Sequence, residues 1–235
     1  MVNATVPVVP AHILSSLVLI GGSLVVPLLA LGTYLGSGAS MRKSAGIAVG
    51  VAIWGIVVFL FARYGQFAIE SPTIVWIIVI INFIFPSVLV LAFRDFFVGD
   101  GLSLAWLTLP QAFRYMGTLF ILENFLGHTG TTFAYTAGFG DFAAAVIATI
   151  ILLQILTNDR PGKPIFYTLV VFGTIDFLVA YSLSFMSTDG VALNILATGT
   201  THLMTLLPLA LLPFFLVPFA MAYHTMMFLT LRKLP

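Results

Sequence analysis

Seven long apolar segments occupy most of the chain, and their length constrains the fold more than any other feature. They run approximately over residues 12–36, 44–64, 72–93, 107–126, 131–156, 164–187 and 201–231. A helix needs about 20 apolar residues to cross the hydrocarbon core of a bilayer. The breaks between the segments are too short for a soluble domain. The pattern predicts an all-α, multi-pass membrane protein, a single transmembrane domain over residues 1–235 built as a bundle of seven helices.

The composition indicates which surroundings and partners the chain has. Only 7% of its residues are charged and its mean hydropathy is +1.15, whereas a soluble domain is about 25% charged. So few charges do not cover a surface in water, and we expect the lipid bilayer to be the main partner. The absence of cysteine excludes disulfides, iron–sulfur clusters and thiolate zinc sites. A net charge of +1, without a run of Lys or Arg, argues against nucleic-acid binding.

Basic residues are distributed unevenly between the two ends of the predicted helices. With seven crossings, one side of the membrane has only Arg63, which ends the second span. The other side has seven basic residues: Arg42, Lys43, Arg94, Arg160, Lys163, Arg232 and Lys233. Cytoplasmic loops of membrane proteins are enriched in Lys and Arg. We therefore expect the N-terminus outside and the C-terminus in the cytoplasm.

Four ionisable residues within the predicted spans form a candidate polar cluster: Arg114, Asp141, Asp176 and His224. With a rise of about 1.5 Å per residue, Arg114, Asp176 and His224 fall between the cytoplasmic face and the membrane centre, with Asp141 somewhat further out. Ionisable groups at such depth usually face the bundle interior and are paired. Two interpretations remain open: a structural ion pair that fixes helix packing, and a proton or substrate path.

A second group of polar residues is predicted near the outer surface, and it consists of His12, Glu123, His128 and His202. Imidazoles with a carboxylate can bind zinc or copper, and paired imidazoles can bind haem iron. However, the sequence has no H-x-x-x-H spacing, and the ligands would come from separate segments. We expect no resident cofactor; a metal or haem site here is the alternative to solvated or hydrogen-bonded histidines.

Glycine and proline occur inside two of the predicted spans. Gly138 and Gly140 precede Asp141 in "AGFGD"; glycine weakens a helix, and aspartate is a good N-cap. The stretch therefore either breaks the helix at Gly140 or remains helical and lets a neighbour approach closely. The last span has three prolines at intervals of five, Pro208, Pro213 and Pro218. Each removes a backbone hydrogen bond, which kinks the helix or frees carbonyl groups for a site.

Four stretches of the last four spans share a distinctive set of residues: "LPQAFRYMGTLFIL", "FAYTAGFGDFAAAVIA", "GTIDFLVAYSLS" and "LPLALLPFFLVPFAMAYH". They combine an R-x-x-G step at Arg114 and Gly117, an A-G-x-G-D stretch ending at Asp141, an aspartate at Asp176, and a proline-rich span with His224. This pattern resembles a family of bacterial multi-pass membrane proteins of uncharacterised function. The resemblance implies that the interior polar set is a family feature, and that the chain lies in a bacterial cytoplasmic membrane. It implies no reaction.

The sequence predicts function only as a class. It has no phosphate-binding loop, dinucleotide-binding or metalloprotease motif, and no lysine inside the last span for a retinal Schiff base. Enzymatic activity is therefore not expected. The first hypothesis is a non-catalytic structural or accessory subunit, in contact with other membrane subunits or with copies of itself. The alternatives are a small-solute or proton transporter that uses the interior residues, and a haem- or metal-binding protein that uses the outer group.

Overall fold

Helices form most of the part of the chain that the structure describes, a computed structural model covering residues 13–65, 72–99, 102–186 and 204–234. These residues contain no strand. The α-helices are α1 (Ile13–Leu35), α2 (Met41–Arg63), α3 (Pro72–Ala92), α4 (Arg94–Phe97), α5 (Leu104–Ala112), α6 (Leu119–Phe125), α7 (Thr131–Leu156), α8 (Lys163–Met186) and α9 (Val217–Lys233). A 3₁₀ helix, Phe113–Thr118, joins α5 to α6, and a π-helix, Leu212–Leu216, leads into α9. The predicted all-α class is confirmed for these residues.

Six helices within the described ranges are long and apolar enough to cross a membrane. They are α1, α2, α3, α7, α8 and the continuous run Leu212–Lys233. This finding indicates an integral, multi-pass membrane protein. The predicted fourth span, residues 107–126, is not among the six because its helix is divided into α5, the 3₁₀ helix and α6. Hydropathy alone does not reveal such a change of helix type.

The bounds of five predicted spans agree with the observed helices to within a few residues, and the last span differs. α7 is unbroken from Thr131 to Leu156, so Gly140 does not divide it. Residues 204–210 form short turns, with a cis peptide bond between Leu207 and Pro208, and the π-helix that opens the last helical run begins only at Leu212. Pro208 therefore lies before the helix, and Pro213 and Pro218 lie within it.

The last helical run forms the centre of the bundle. Of its most apolar stretch, 72% is buried, compared with 11% for α2. α9 packs against α3, α5 and α8, while α7 packs against α5, α6 and α8. α2 packs mainly along α1, at the edge of the bundle. Polar side chains of α9 are therefore surrounded by protein rather than lipid.

Pro218 leaves a main-chain carbonyl without its usual partner in the last helix. Proline has no N–H, so the carbonyl of Phe214, four residues earlier, receives no helical hydrogen bond from it. The side chain of Asn82 in α3 replaces that donor, with 2.6 Å between Asn82 Nδ2 and Phe214 O. This hydrogen bond thus holds α3 against the central helix.

A second carbonyl is freed in the same turn, at Pro213. The N–H of Val217 bonds to the carbonyl of Leu212, in the longer spacing of a π-helix. The next residue is again Pro218, so Pro213 O has no main-chain donor on that side. The hydroxyl of Tyr181 in α8 donates to Pro213 O at 2.7 Å. Side chains of two neighbouring helices therefore satisfy both of the freed carbonyls.

Basic residues from three helices meet at one end of the bundle. Lys43 at the start of α2 donates to the carbonyl of Phe96. Lys233 at the end of α9 donates to the carbonyl of Val98 at 2.7 Å. Lys163 at the start of α8 donates to the carbonyl of the residue after Lys233 at 2.8 Å. We call this the basic end; its residues belong to the set that the sequence analysis assigned to one side of the membrane.

Candidate functional site

The four ionisable residues predicted inside the bundle converge on one point. Arg114 lies in the 3₁₀ helix, Asp141 in the middle of α7, Asp176 in α8 and His224 in α9. Their exposed fractions are 6%, 8%, 8% and 1%, respectively. We refer to these residues as the Arg114 cluster. It joins four elements that are far apart in the sequence, as expected for ionisable groups that avoid lipid.

Arg114 contacts another side chain through each of its three nitrogen atoms. Its Nε donates to Asp141 Oδ1 at 2.8 Å, and its Nη2 donates to Asp176 Oδ2 at 2.5 Å. Its Nη1 lies 3.4 Å from Nε2 of His224. The ring of Phe177 lies against the guanidinium, with 3.9 Å between the ring centroid and Arg114 Cζ. The planar, forked guanidinium therefore holds two carboxylates at fixed positions, which a lysine cannot do.

Two glycines provide the space for the two carboxylates. A Cβ atom placed on Gly117 would overlap the carboxyl group of Asp141. A Cβ atom placed on Gly140 would overlap the carboxyl group of Asp176. Each carboxylate therefore has one oxygen on Arg114 and the other over a glycine of a neighbouring helical element. Any side chain larger than hydrogen at these positions has to displace an ion-paired group.

Two further glycines allow close packing around the cluster. A Cβ on Gly173 would lie 2.5 Å from both Arg114 Nη1 and His224 Nε2. A Cβ on Gly138 would lie 2.8 Å from Cγ1 of Ile121, at the contact between α7 and α6. Of the two alternatives for "AGFGD", the structure therefore has the continuous helix with close neighbours. The break in regular geometry lies instead in the segment that contains Arg114.

The cluster contains more carboxyl groups than cations. Arg114 donates toward Nε2 of His224, which requires that this nitrogen has no proton and that the imidazole is neutral. One guanidinium then faces two carboxyl groups, Asp141 and Asp176. If both carboxyl groups are ionised, one negative charge lacks a cation within the cluster. A structural ion pair without net charge needs only one of the two carboxyl groups.

A cavity adjoins the cluster between α1, the 3₁₀ helix, the π-helix and α9. It encloses about 480 Å³ including its open mouth, and the centre of a water molecule can occupy about 40 Å³ of it. A space of that size accommodates about three water molecules. Arg114 and Asp141 are the charged residues that line it, and most of the remaining wall is apolar. The cavity thus reaches the carboxylate end of the cluster.

The structure brings together two of the four residues predicted near the outer surface. Glu123 is fully buried; one of its oxygens accepts from the hydroxyl of Ser15, and the other lies 2.7 Å from Nδ1 of His128. His12 and His202 lie outside the described residues. Within the described ranges, no group of three or more His, Cys, Asp or Glu residues is arranged to hold a metal ion. The observed pair is one or two ligands short of a metal site.

Sequence reasoning missed several polar contacts that complete these sites. Gln111 is fully buried and donates to the carbonyl of Ala220 at 3.1 Å, while its Oε1 has no hydrogen-bond partner among the described residues. Its position three residues before Arg114 gives a signal, because such residues share a helix face. Ser15 and Phe177 gave no such signal, since a lone serine or phenylalanine in an apolar helix is ordinary.

The domain of unknown function DUF8737 matches residues 73–232, well over half of the chain. The chain belongs to this family. The DUF8737 domain contains the whole Arg114 cluster and its glycines, whereas α1 and α2 precede the match. No curated protein and no solved structure gives a significant match. Membership of an uncharacterised family is thus confirmed, while the residue pattern and the bacterial origin stay predictions.

Proposed function

We propose that the protein is a proton-coupled transporter of a small solute, in the cytoplasmic membrane of a bacterium. The Arg114 cluster is its coupling site. The observation that carries this proposal is one guanidinium shared by two buried carboxyl groups, next to a cavity that reaches Asp141. Carboxyl groups inside the membrane with an adjacent water-sized space are typical of proton relays. A purely structural pair has no need of the second carboxylate.

The proposal includes one crossing in addition to the six long helices. It is formed by residues 104–125 and is the fourth along the chain. These residues are about 30 Å long at 1.5 Å per residue, which matches the hydrocarbon core. α4 lies at the basic end, where Lys233 contacts the carbonyl of Val98. α7 ends shortly before Lys163, which lies at the same end, so α7 begins at the opposite one. These positions support a return of the chain through the bundle between α4 and α7. In this proposal, seven crossings and a cytoplasmic basic end leave the N-terminus outside.

Labelling of single cysteines tests this topology, because the chain has no native cysteine. Asp95→Cys lies before the proposed crossing of residues 104–125, and Thr132→Cys lies after it; both positions are exposed. On intact cells, a membrane-impermeant maleimide is expected to label Thr132→Cys directly and Asp95→Cys only after permeabilisation. Labelling of both from the same side would show that residues 104–125 do not cross. The reversed pattern would show the opposite orientation.

Flux measurements in proteoliposomes test the transport function. A potassium diffusion potential drives protons while an enclosed pH-sensitive dye reports their movement. The proposal requires the Arg114 cluster to relay protons even without the solute, so the wild-type protein is expected to pass protons. Asp141→Asn and Asp176→Asn are expected to fold but to abolish the flux. Asp95→Asn is the matched control, because that side chain is 89% exposed and lies outside the cluster. Wild-type flux no greater than that of empty liposomes, or full flux in both cluster variants, would refute the proposal.

A second candidate function is an accessory subunit of a larger membrane assembly, or a self-associating one. The observation that favours it is α2, whose apolar stretch is only 11% buried and whose Gly46 and Gly50 have open space beside them. Helices in lipid associate through such small residues. Native mass spectrometry from a mild detergent distinguishes the candidates. Bound polypeptides that Gly50→Leu releases would support a subunit role, and a monomer of 25.4 kDa would count against it.

A further inference from the structure

Asp141 lines the cavity, and one oxygen atom of its carboxyl group accepts no hydrogen bond from the described residues. Asp141 Oδ1 accepts from Arg114, whereas Oδ2 lies over Gly117 and accepts no hydrogen bond from the described residues. Asp141 and Gly117 both line the cavity, and 11% of the Asp141 side chain is exposed. This oxygen is thus an accessible hydrogen-bond acceptor in the wall of the cavity, and a donor that enters the cavity can bind to it.

The charge of the cluster favours a cationic donor over an anionic one. Each nitrogen of Arg114 already contacts another side chain, and Phe177 covers one face of the guanidinium. Arg114 is thus poorly placed to recognise an anion. With both carboxyl groups ionised, the cluster has one uncompensated negative charge. A monovalent cation beside Asp141 restores neutrality, and so does a proton.

The walls of the cavity indicate the kind of cation. They include apolar side chains of Val26 from α1, Leu216 from the π-helix and Phe219 from α9. A hard metal ion needs about six oxygen ligands, and the side chains that line this cavity offer one open carboxylate oxygen. A tertiary ammonium ion has a single N–H, and the rest of its surface is apolar. It therefore matches one acceptor in an apolar wall.

We propose that the cavity binds a small tertiary alkylammonium ion. Its N–H donates to Asp141 Oδ2, and its alkyl groups contact Val26, Leu216 and Phe219. This inference rests on the proposed transport function and names its substrate class. The cavity accommodates about three water molecules, which restricts the ligand to short alkyl groups such as methyl.

Binding exchanges the ammonium ion for a proton at the same carboxyl group. The proton on Asp141 leaves to the solvent as the ammonium N–H···O bond forms, and no covalent bond between heavy atoms changes. Among the described residues, the charged and titratable groups around Asp141 are Arg114 from the 3₁₀ helix, Asp176 from α8 and His224 from α9. With a neutral imidazole at His224, Arg114 is the one cation of this set. A proton and an ammonium ion therefore compete for the carboxylate charge that Arg114 does not balance.

Isothermal titration calorimetry on the purified protein tests this site with trimethylammonium chloride. We expect saturable binding and, from titrations in two buffers of different ionisation enthalpy, release of up to one proton per ligand. Tetramethylammonium has the same charge but no N–H, so it is expected to bind at least about tenfold more weakly, the value of a charge-assisted hydrogen bond. Sodium chloride is expected to give no saturable binding.

Two variants test the contributions of the carboxylate and of the cavity separately. Asp141→Asn is expected to remove binding and proton release, and Val26→Phe is expected to weaken binding at least tenfold by filling the space. Equal binding of the two ammonium ions, unchanged binding to Asp141→Asn, or no binding to the wild type would overturn the inference. Proton flux without ammonium binding would refute this inference alone. Ammonium binding without flux would refute the transport function and leave the site standing.

Discussion

Replacement of Gly140 by alanine gives a quantitative test of the Arg114 cluster. The added methyl group would overlap the carboxyl group of Asp176, which accepts from Arg114 at 2.5 Å. Asp176 lies in the middle of α8 and is 8% exposed, so its carboxyl group has little free space to enter. Either it leaves Arg114, or α7 and α8 separate. Both responses break a buried ion contact.

Two opposing free-energy terms decide the sign of the effect. Alanine is favoured over glycine in a helix interior by about 1 kcal/mol. Breaking one side of a buried ion pair costs about 3 to 5 kcal/mol, because it leaves an uncompensated charge. The net expectation for Gly140→Ala is therefore a loss of about 2 to 4 kcal/mol in the free energy of unfolding. Helix propensity alone predicts the opposite sign.

Gly50→Ala is the matched control for Gly140→Ala. Gly50 also lies in the interior of a long apolar helix, but a Cβ atom there meets nothing within 4 Å. It is expected to leave stability unchanged or to raise it by up to about 1 kcal/mol. Unfolding in mixed detergent and SDS micelles, followed by circular dichroism, measures both variants. If Gly140→Ala is as stable as Gly50→Ala, the cluster does not have the geometry described.

Three other substitutions test the guanidinium of the cluster and two contacts elsewhere in the bundle by the same unfolding assay. Asn82→Ala is expected to cost about 1 to 3 kcal/mol, because it removes the donor to a buried carbonyl; adding Pro218→Ala restores a main-chain N–H and is expected to recover most of that loss. Arg114→Lys is expected to lower stability, since an ammonium group does not hold two carboxylates in one plane; equal stability would contradict this. Ser15→Ala is expected to cost about 1 to 3 kcal/mol by removing a donor to buried Glu123, and a neutral result would show that the contact is dispensable.

The sequence predicted the long helices well because apolar length is a direct requirement of the bilayer. α7 and α8 begin and end within about a residue of their predicted bounds. The division of the fourth span was not predicted, because 3₁₀ and α geometry have the same hydropathy. The late start of the last helix was also missed, since residues 204–210 are as apolar as the helix that follows. Composition does not distinguish an apolar turn from an apolar helix.

The position of the interior polar residues was partly predictable from depth along each helix. The rise per residue and alternating directions grouped Arg114, Asp176 and His224 at similar levels, and the structure brings these residues together with Asp141. Depth gives no information about which face of each helix meets which neighbour. The pairing of each carboxyl group with a glycine of another element therefore required the packed structure.

The residues of the cluster are better explained by a functional role than by a contribution to stability. Gly117, Gly140 and Gly173 lie in helical segments, although the intrinsic helix propensity of alanine is better than that of glycine by as much as about 1 kcal/mol at each position. A buried ion pair is itself often no more stabilising than apolar side chains of the same volume. A second carboxyl group adds desolvation cost without a second cation. Asp176→Asn would leave one guanidinium with one carboxylate, a balanced pair, so a structural role predicts preserved stability and no other change. A coupling role predicts the same stability together with loss of proton flux, and that difference separates the two interpretations of the cluster.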